Sequence, residues 1–135
     1  MTRKRVLVAD DLEPVRKTIV ALLQEVFDVA GVVCDGEAAL AATLKLEPDL
    51  VVLDISMPGL SGIEVAIELK RLGNTAKVVF LTLHEDAEIV KACQAAGGLG
   101  YVVKVFMDAD LIPAMNEALA GRMFTSRFPS QEEVH

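Results

Sequence analysis

Residues 49–62 read "DLVVLDISMPGLSG", and the placement of one acid in this stretch decides how the chain is read. Leu50 to Leu53 form an unbroken apolar run, as expected of a strand buried on both faces. Asp54 ends the run, and Pro58, Gly59 and Gly62 follow within a few residues. An ionised carboxylate at the mouth of a core is costly unless it is paired, hydrogen-bonded or bound to a metal. The position of Asp54 therefore calls for a chemical reason.

Outward from this strand, short apolar runs alternate with longer stretches of helical period. The strands are expected at "VLVA" (6–9), "VAGVV" (29–33), "LVVL" (50–53), "VVFLT" (78–82) and "GYVVK" (100–104). Between the first two, Val15, Ile19, Leu22 and Val26 recur at helical spacing, with Pro14 just ahead, where proline suits a first turn. The second helix is expected from Gly36 to Leu46 with Asp35 as its N-cap. The third runs from Ile63 to Leu72 and stops at Gly73. The fourth runs from Asp86 to Ala96, with Ile89, Cys93 and Ala96 on one face. The fifth begins near Asp108 and ends before Gly121. Five strand–helix repeats predict an α/β fold, a five-stranded parallel sheet with helices on both faces.

Composition narrows the function. The chain has 135 residues, enough for one domain with a proper core, and 53% of them are hydrophobic, which excludes disorder. No apolar run approaches the ~20 residues of a membrane span. Val6 to Ala9 is too short for the apolar part of a signal peptide, so a cytoplasmic location without membrane contact is expected. A net charge of −7 argues against nucleic-acid binding by this chain, and Arg3-Lys4-Arg5 reads as a solvated lead-in to the first strand. Cys34 and Cys93 make neither a disulfide framework nor a zinc site and read as buried small hydrophobes. His84 and His135 are not site candidates, His84 reading as an exposed loop residue.

In such sheets ligands bind beyond the carboxyl ends of the strands. Asp10 and Asp11 follow the first strand, Asp54 the third, Thr82 ends the fourth and Lys104 the fifth. Each has an ordinary reading alone: a cap, a solvated loop, a strand residue. Their joint placement at four strand ends is what points to a site. Carboxylates about 4 Å apart repel by ~4 kcal/mol at an effective dielectric of 20, and a divalent cation removes that penalty. All-oxygen ligands favour magnesium, or manganese, over zinc. Lys104 suits a phosphoryl group, Thr82 can donate one hydrogen bond to it, and Asp54 can serve as the nucleophile that forms an acyl phosphate.

The pieces "VLVADD", "VVLDISMPGLSGIE", "VVFLT" and "GYVVK", in this order and spacing, resemble the receiver (CheY-like) domain of two-component response regulators. The resemblance covers about residues 4–121. "LTLHED" and "ALAGRMFTS" look most like the subfamily with a C-terminal helix-turn-helix, the LuxR/NarL-like regulators. The resemblance implies a flavodoxin-like strand order 2-1-3-4-5. It implies Asp54 as phospho-acceptor, with magnesium held directly by Asp11, Asp54 and the Ser56 carbonyl oxygen and through water by Asp10. It further implies Thr82 and Tyr101 as a switch pair and Lys104 as the contact to the phosphoryl group. Gly62 is expected to give clearance at the start of the third helix. The implied partners are a histidine kinase or phosphotransfer protein, or a small phosphodonor, and a homodimer formed through the fourth helix, fifth strand and fifth helix. On this reading the chain is no enzyme toward other substrates and catalyses only its own phosphorylation and dephosphorylation. Residues 1–121 form the receiver, and 122–135 are a polar tail or the start of a linker to an output domain.

Two other functions compete. An aspartate-dependent phosphohydrolase on a similar fold would show Asp-x-Asp after the first strand, whereas Asp10 and Asp11 are adjacent. A degenerate receiver working through protein contacts alone is opposed by the complete acid set. The chain also departs from the family pattern. Val105 stands where many receivers have a cis proline. A trans Lys104–Val105 bond is therefore expected, with Lys104 aimed by packing of Val105 and Phe106. Pro113 suggests that the fifth helix starts late, toward Asp110, or has a distorted first turn. Leu83, at the pocket rim where many receivers have a smaller residue, is read as a shield against water or as a core residue.

Overall fold

In the computed structural model of the chain, residues 3–126 are described. The elements run β1 (Arg5–Ala9), α1 (Glu13–Leu23), β2 (Asp28–Val33), α2 (Gly36–Leu46), β3 (Leu50–Asp54), α3 (Gly62–Arg71), β4 (Lys77–Thr82), α4 (Ala87–Ala95), β5 (Gly100–Val103), a 3-10 turn (Lys104–Phe106), α5 (Met107–Leu119) and β6 (Phe124–Thr125). The strands pair in parallel in the order β2-β1-β3-β4-β5-β6. The expected α/β architecture is present, but the sheet has six strands instead of five. The sixth was missed because two residues, Phe124 and Thr125, are too few to show a period of two.

Strand alternation sorts the core into two layers. Leu7, Val51, Leu53, Phe80 and Tyr101 face one side and pack with α2, α3 and α4. Val6, Val8, Leu50, Val52, Leu81 and Val102 face the other, against Ile19 and Leu23 of α1 and Leu111, Met115 and Ala118 of α5. The central strands are apolar on both faces because both are covered. No helix of the described residues is long and apolar enough to cross a membrane.

Local signals fix the helix ends. The Ala38 N–H donates to Asp35 Oδ1 at 2.7 Å, confirming that cap. At α3, Ser61 and Glu64 form a reciprocal capping box, and the chain leaves the helix through Gly73 at φ +73°. In α1, Pro14 sits in the first turn, but the helix ends at Leu23. Val26 lies beyond it and is exposed, while Phe27 is buried in its place. Cys93 is buried as expected, whereas Cys34 is exposed, because it sits just past the end of the edge strand β2.

The chain's C-terminal third differs most from expectation. The Lys104–Val105 bond is trans, as is every peptide bond among the described residues. Val105, however, is 77% exposed and cannot aim Lys104 by packing, while Phe106 packs against the α2–α4 side of the core. Nor is α5 delayed toward Asp110: the 3-10 turn runs straight into a helix that starts at Met107 and carries Pro113 within it. Proline has no N–H, so the Ala109 carbonyl lacks its helical donor.

Gly36 opens α2 where a Cβ would lie 2.0 Å from the Leu60 carbonyl oxygen, so α2 and the β3–α3 loop meet backbone to backbone. Gly36→Ala should therefore destabilise the protein by about 3 kcal/mol through overpacking. Gly73→Ala, with open space around it, should cost only about 1 kcal/mol, for its left-handed backbone. Urea midpoints of the two variants check this; equal losses would remove the steric explanation.

Candidate functional site

The ends of β1, β3 and β5 build one cluster. Asp10 follows β1, and its N–H still donates to the Val33 carbonyl at 3.2 Å, which holds it in the plane of the sheet. Its Oδ1 accepts the Leu12 N–H at 2.9 Å, and its carbonyl accepts Arg16 Nη1 at 2.9 Å. Asp54 closes β3, with the following Ile55 N–H bonded to the Leu81 carbonyl at 3.0 Å. Asp54 Oδ1 accepts the Ser56 N–H at 3.2 Å. Gly62 brings α3 against this turn: a Cβ there would stand 2.3 Å from the Asp54 carbonyl oxygen, so the expected clearance is real.

Lys104 joins the two acids. Its Nζ lies 2.8 Å from Asp10 Oδ2 and 3.3 Å from Asp54 Oδ2. Both carboxylates are buried, Asp10 fully and Asp54 to within 3%. One ammonium thus serves two buried carboxylates. Burial, then the neighbouring Asp10 charge, push the Asp54 carboxyl up from 3.8 to about 6, while Lys104 and the Ser56 N–H pull in the opposite direction. Desolvation outweighs the ion pair because Lys104 is shared.

The cluster is suited to a hard cation. Asp10, Asp11 and Asp54 each offer a carboxylate oxygen, and these lie within 4.8 Å of one another. Asp10 Oδ2 is buried without an aligned hydrogen-bond donor, its one charge partner being the Lys104 ammonium. Asp11 is exposed, which leaves the cluster open to solvent on one side. Oxygen donors, excess negative charge and an open side fit a magnesium-like ion that keeps some of its water. Ser56 is exposed, and its N–H is bonded to Asp54 Oδ1.

Thr82 and Tyr101 belong to the other side of the strand ends. By alternation Asp10, Asp54 and Lys104 continue the α1–α5 face, whereas Phe80, Thr82 and Tyr101 belong to the α4 face. Tyr101 Oη donates to the His84 carbonyl at 2.8 Å, and Thr82 Oγ1 donates to the same oxygen at 3.2 Å. Tyr101 is therefore turned inward, 3% exposed, with no phosphoryl group at the site. Burial pushes its phenol pKa up. The His84 side chain is exposed as expected, yet its backbone carbonyl ties the pair together. A backbone acceptor carries no residue-type signal, so it was illegible in the sequence. Arg16, which holds the Asp10 carbonyl, stands beside Lys17 in α1, and the sequence does not distinguish the two.

The raised Asp54 pKa has a consequence for stability. The folded state binds this proton more tightly than the unfolded chain, so the stabilisation is complete below the unfolded value of 3.8 and is lost as pH rises through about 6. Without metal, Asp54→Asn should stabilise the protein by roughly 1–3 kcal/mol at about pH 8 and by little at about pH 4. Thermal midpoints of both proteins in EDTA at the two values check the sign; a gain independent of pH would contradict it.

Known proteins resemble this chain in sequence and in fold. The family described as the response regulator receiver domain matches residues 6–116. The transcriptional regulatory protein PdtaR of Mycobacterium tuberculosis is 35% identical over 120 residues, which cover 87% of this chain and 57% of that protein. The chemotaxis protein CheY of Halobacterium salinarum is 33% identical over 86% of this chain and 97% of its own length. Among solved structures, a two-component response regulator of the LuxR family from Aurantimonas sp. superposes with a TM-score of 0.86 at 27% identity, covering 99% of this chain and all of that one. The chain thus spans little more than half of the transcriptional regulator it matches and nearly the whole of the chemotaxis protein. With the family matched over most of its length and the strand-end acids and lysine gathered at one edge, the chain belongs to the response regulator receiver family, the signalling-switch domain of two-component systems.

Proposed function

We propose that this receiver is switched by phosphorylation of Asp54. The observation that supports this most directly is a buried carboxylate whose charge is only partly met by Lys104 at 3.3 Å. An Asp54 oxygen attacks the phosphorus of a phosphohistidine, on a kinase or phosphotransfer protein, or of a small acyl phosphate. The new P–O bond forms as the bond to the donor breaks, and the donor leaves with that electron pair. Attack by water later releases phosphate and restores the carboxylate. Asp10, Asp11, Asp54 and the Ser56 carbonyl would hold magnesium or manganese, which when bound neutralises the acids and the incoming phosphoryl oxygens. Lys104 then shifts its contact from the carboxylates to a phosphoryl oxygen.

Transmission follows from the shared His84 carbonyl. When the Thr82 hydroxyl turns to donate to the phosphoryl group it leaves that carbonyl, and Tyr101 becomes its sole side-chain donor. The β4–α4 loop is thereby re-tied from the α4–β5–α5 side. That face is proposed to meet the partner, whether a second copy of the chain or an output domain. Attachment to a transcriptional output domain is supported by the length of the regulator relatives, and the cytoplasm is the compartment this role requires.

Three outcomes are expected. With acetyl phosphate and magnesium, intact-protein mass spectrometry should show one added phosphoryl group on the wild type and none on Asp54→Asn. Magnesium at about 100 times its Kd should stabilise the wild type by ~2.7 kcal/mol, and Asp11→Asn less. A wild type that takes up no phosphoryl group would overturn the proposal. Leu83 is 63% exposed next to Thr82, which removes its reading as a core residue. Leu83→Ala should shorten the life of the phosphorylated protein about tenfold or less, the scale of ~1.4 kcal/mol in barrier. A lifetime unchanged or longer would dismiss the shielding role.

A further inference from the structure

Lys104 needs an aiming device. Val105 is exposed, and the 3-10 turn that begins at Lys104 has no proline to stiffen it. One residue outside this turn bonds the segments on both sides of it. Ser126 is 4% exposed and follows β6. Its Oγ accepts the N–H of Val103, the residue just before Lys104, at 3.1 Å. The same hydroxyl donates to Asp110 Oδ2 in the first turns of α5, at 2.7 Å. Its own N–H donates to the Tyr101 carbonyl at 2.9 Å, and the Phe124 N–H donates to the Leu99 carbonyl at 2.9 Å. One hydroxyl thus clamps both ends of the segment that carries Lys104: the end of β5 before it and α5 after it.

From this geometry we infer that Ser126 is a positioning residue for Lys104, and that β6 holds the lysine in register with Asp10 and Asp54. A hydroxyl is suited to the task because it accepts and donates at once. Alanine would leave the buried Val103 N–H without an acceptor. The inference also gives β6 a purpose that two residues of pairing do not supply on their own.

The test rests on the phosphorylation reading in one arm only. In the unphosphorylated protein, acylation of Lys104 by an amine-reactive acetyl ester should be at least threefold faster in Ser126→Ala and in Asp110→Ala than in wild type. Ala118→Gly, a core change in the same helix, should leave that rate within twofold and so controls for general loosening. In the second arm, phosphorylation by acetyl phosphate should be threefold to tenfold slower in Ser126→Ala and Asp110→Ala, with magnesium affinity within twofold of wild type. Ser126→Thr, which keeps the hydroxyl, should recover at least half of the rate. If Ser126→Ala does not fold, Asp110→Ala breaks the clamp from its other end. Labelling unchanged in Asp110→Ala, or raised no more than in Ala118→Gly, would overturn the inference. Labelling raised as expected in a protein that takes up no phosphoryl group would leave the clamp standing and overturn the phosphorylation reading instead.

Discussion

The rest of the site depends on one unequal ion cluster: two buried carboxylates, Asp10 and Asp54, held by a single ammonium from Lys104. A fully paired cluster would be inert, and an unpaired one would protonate or unfold. The shared lysine leaves the site short of positive charge, so burial, and then the Asp10 charge, push the Asp54 carboxyl up toward neutrality against its pull. The same shortage supports the proposal that the site takes up a cation and, with it, a phosphoryl group. Burial that destabilises the resting state thereby prepares the site for its ligand.

This arrangement requires a rigid frame, and the sheet provides it. Asp10 and Asp54 extend strands whose preceding residues, Val6 to Ala9 and Leu50 to Leu53, are all fully buried. Neither acid can relax outward without dragging part of the core with it. Glycine completes the frame at Gly62, where α3 comes so near the Asp54 carbonyl that no side chain fits. The acids are thus fixed by packing on both sides of the sheet, while Asp11 and Ser56 stay at the open rim.

The two faces of the strand ends divide the work. Asp10, Asp54 and Lys104 lie on the α1–α5 side, and Thr82 and Tyr101 on the α4 side share one backbone oxygen at His84. A single residue step along β4, from Leu81 to Thr82, changes the face and so links the two. β6 adds a third contact to the same region, from a part of the chain that a reading of five strands leaves out.

The sequence alone determined the layered α/β fold, because apolar runs of strand length alternating with helical stripes admit few other packings. It also determined which residues reach the same edge, since strand ends in a parallel sheet share one edge whatever their distance along the chain. That is why Asp10, Asp54, Thr82 and Lys104 were legible. Only the tertiary structure decided how they are held. The inward Tyr101, the carbonyl of His84 and the clamp at Ser126 depend on backbone atoms, which every residue type carries alike. The exposure of Val26, Cys34 and Val105 depends on where an element stops or which strand lies at the edge. Periodicity gives the face of a residue, but the neighbour that covers that face comes from elsewhere in the chain.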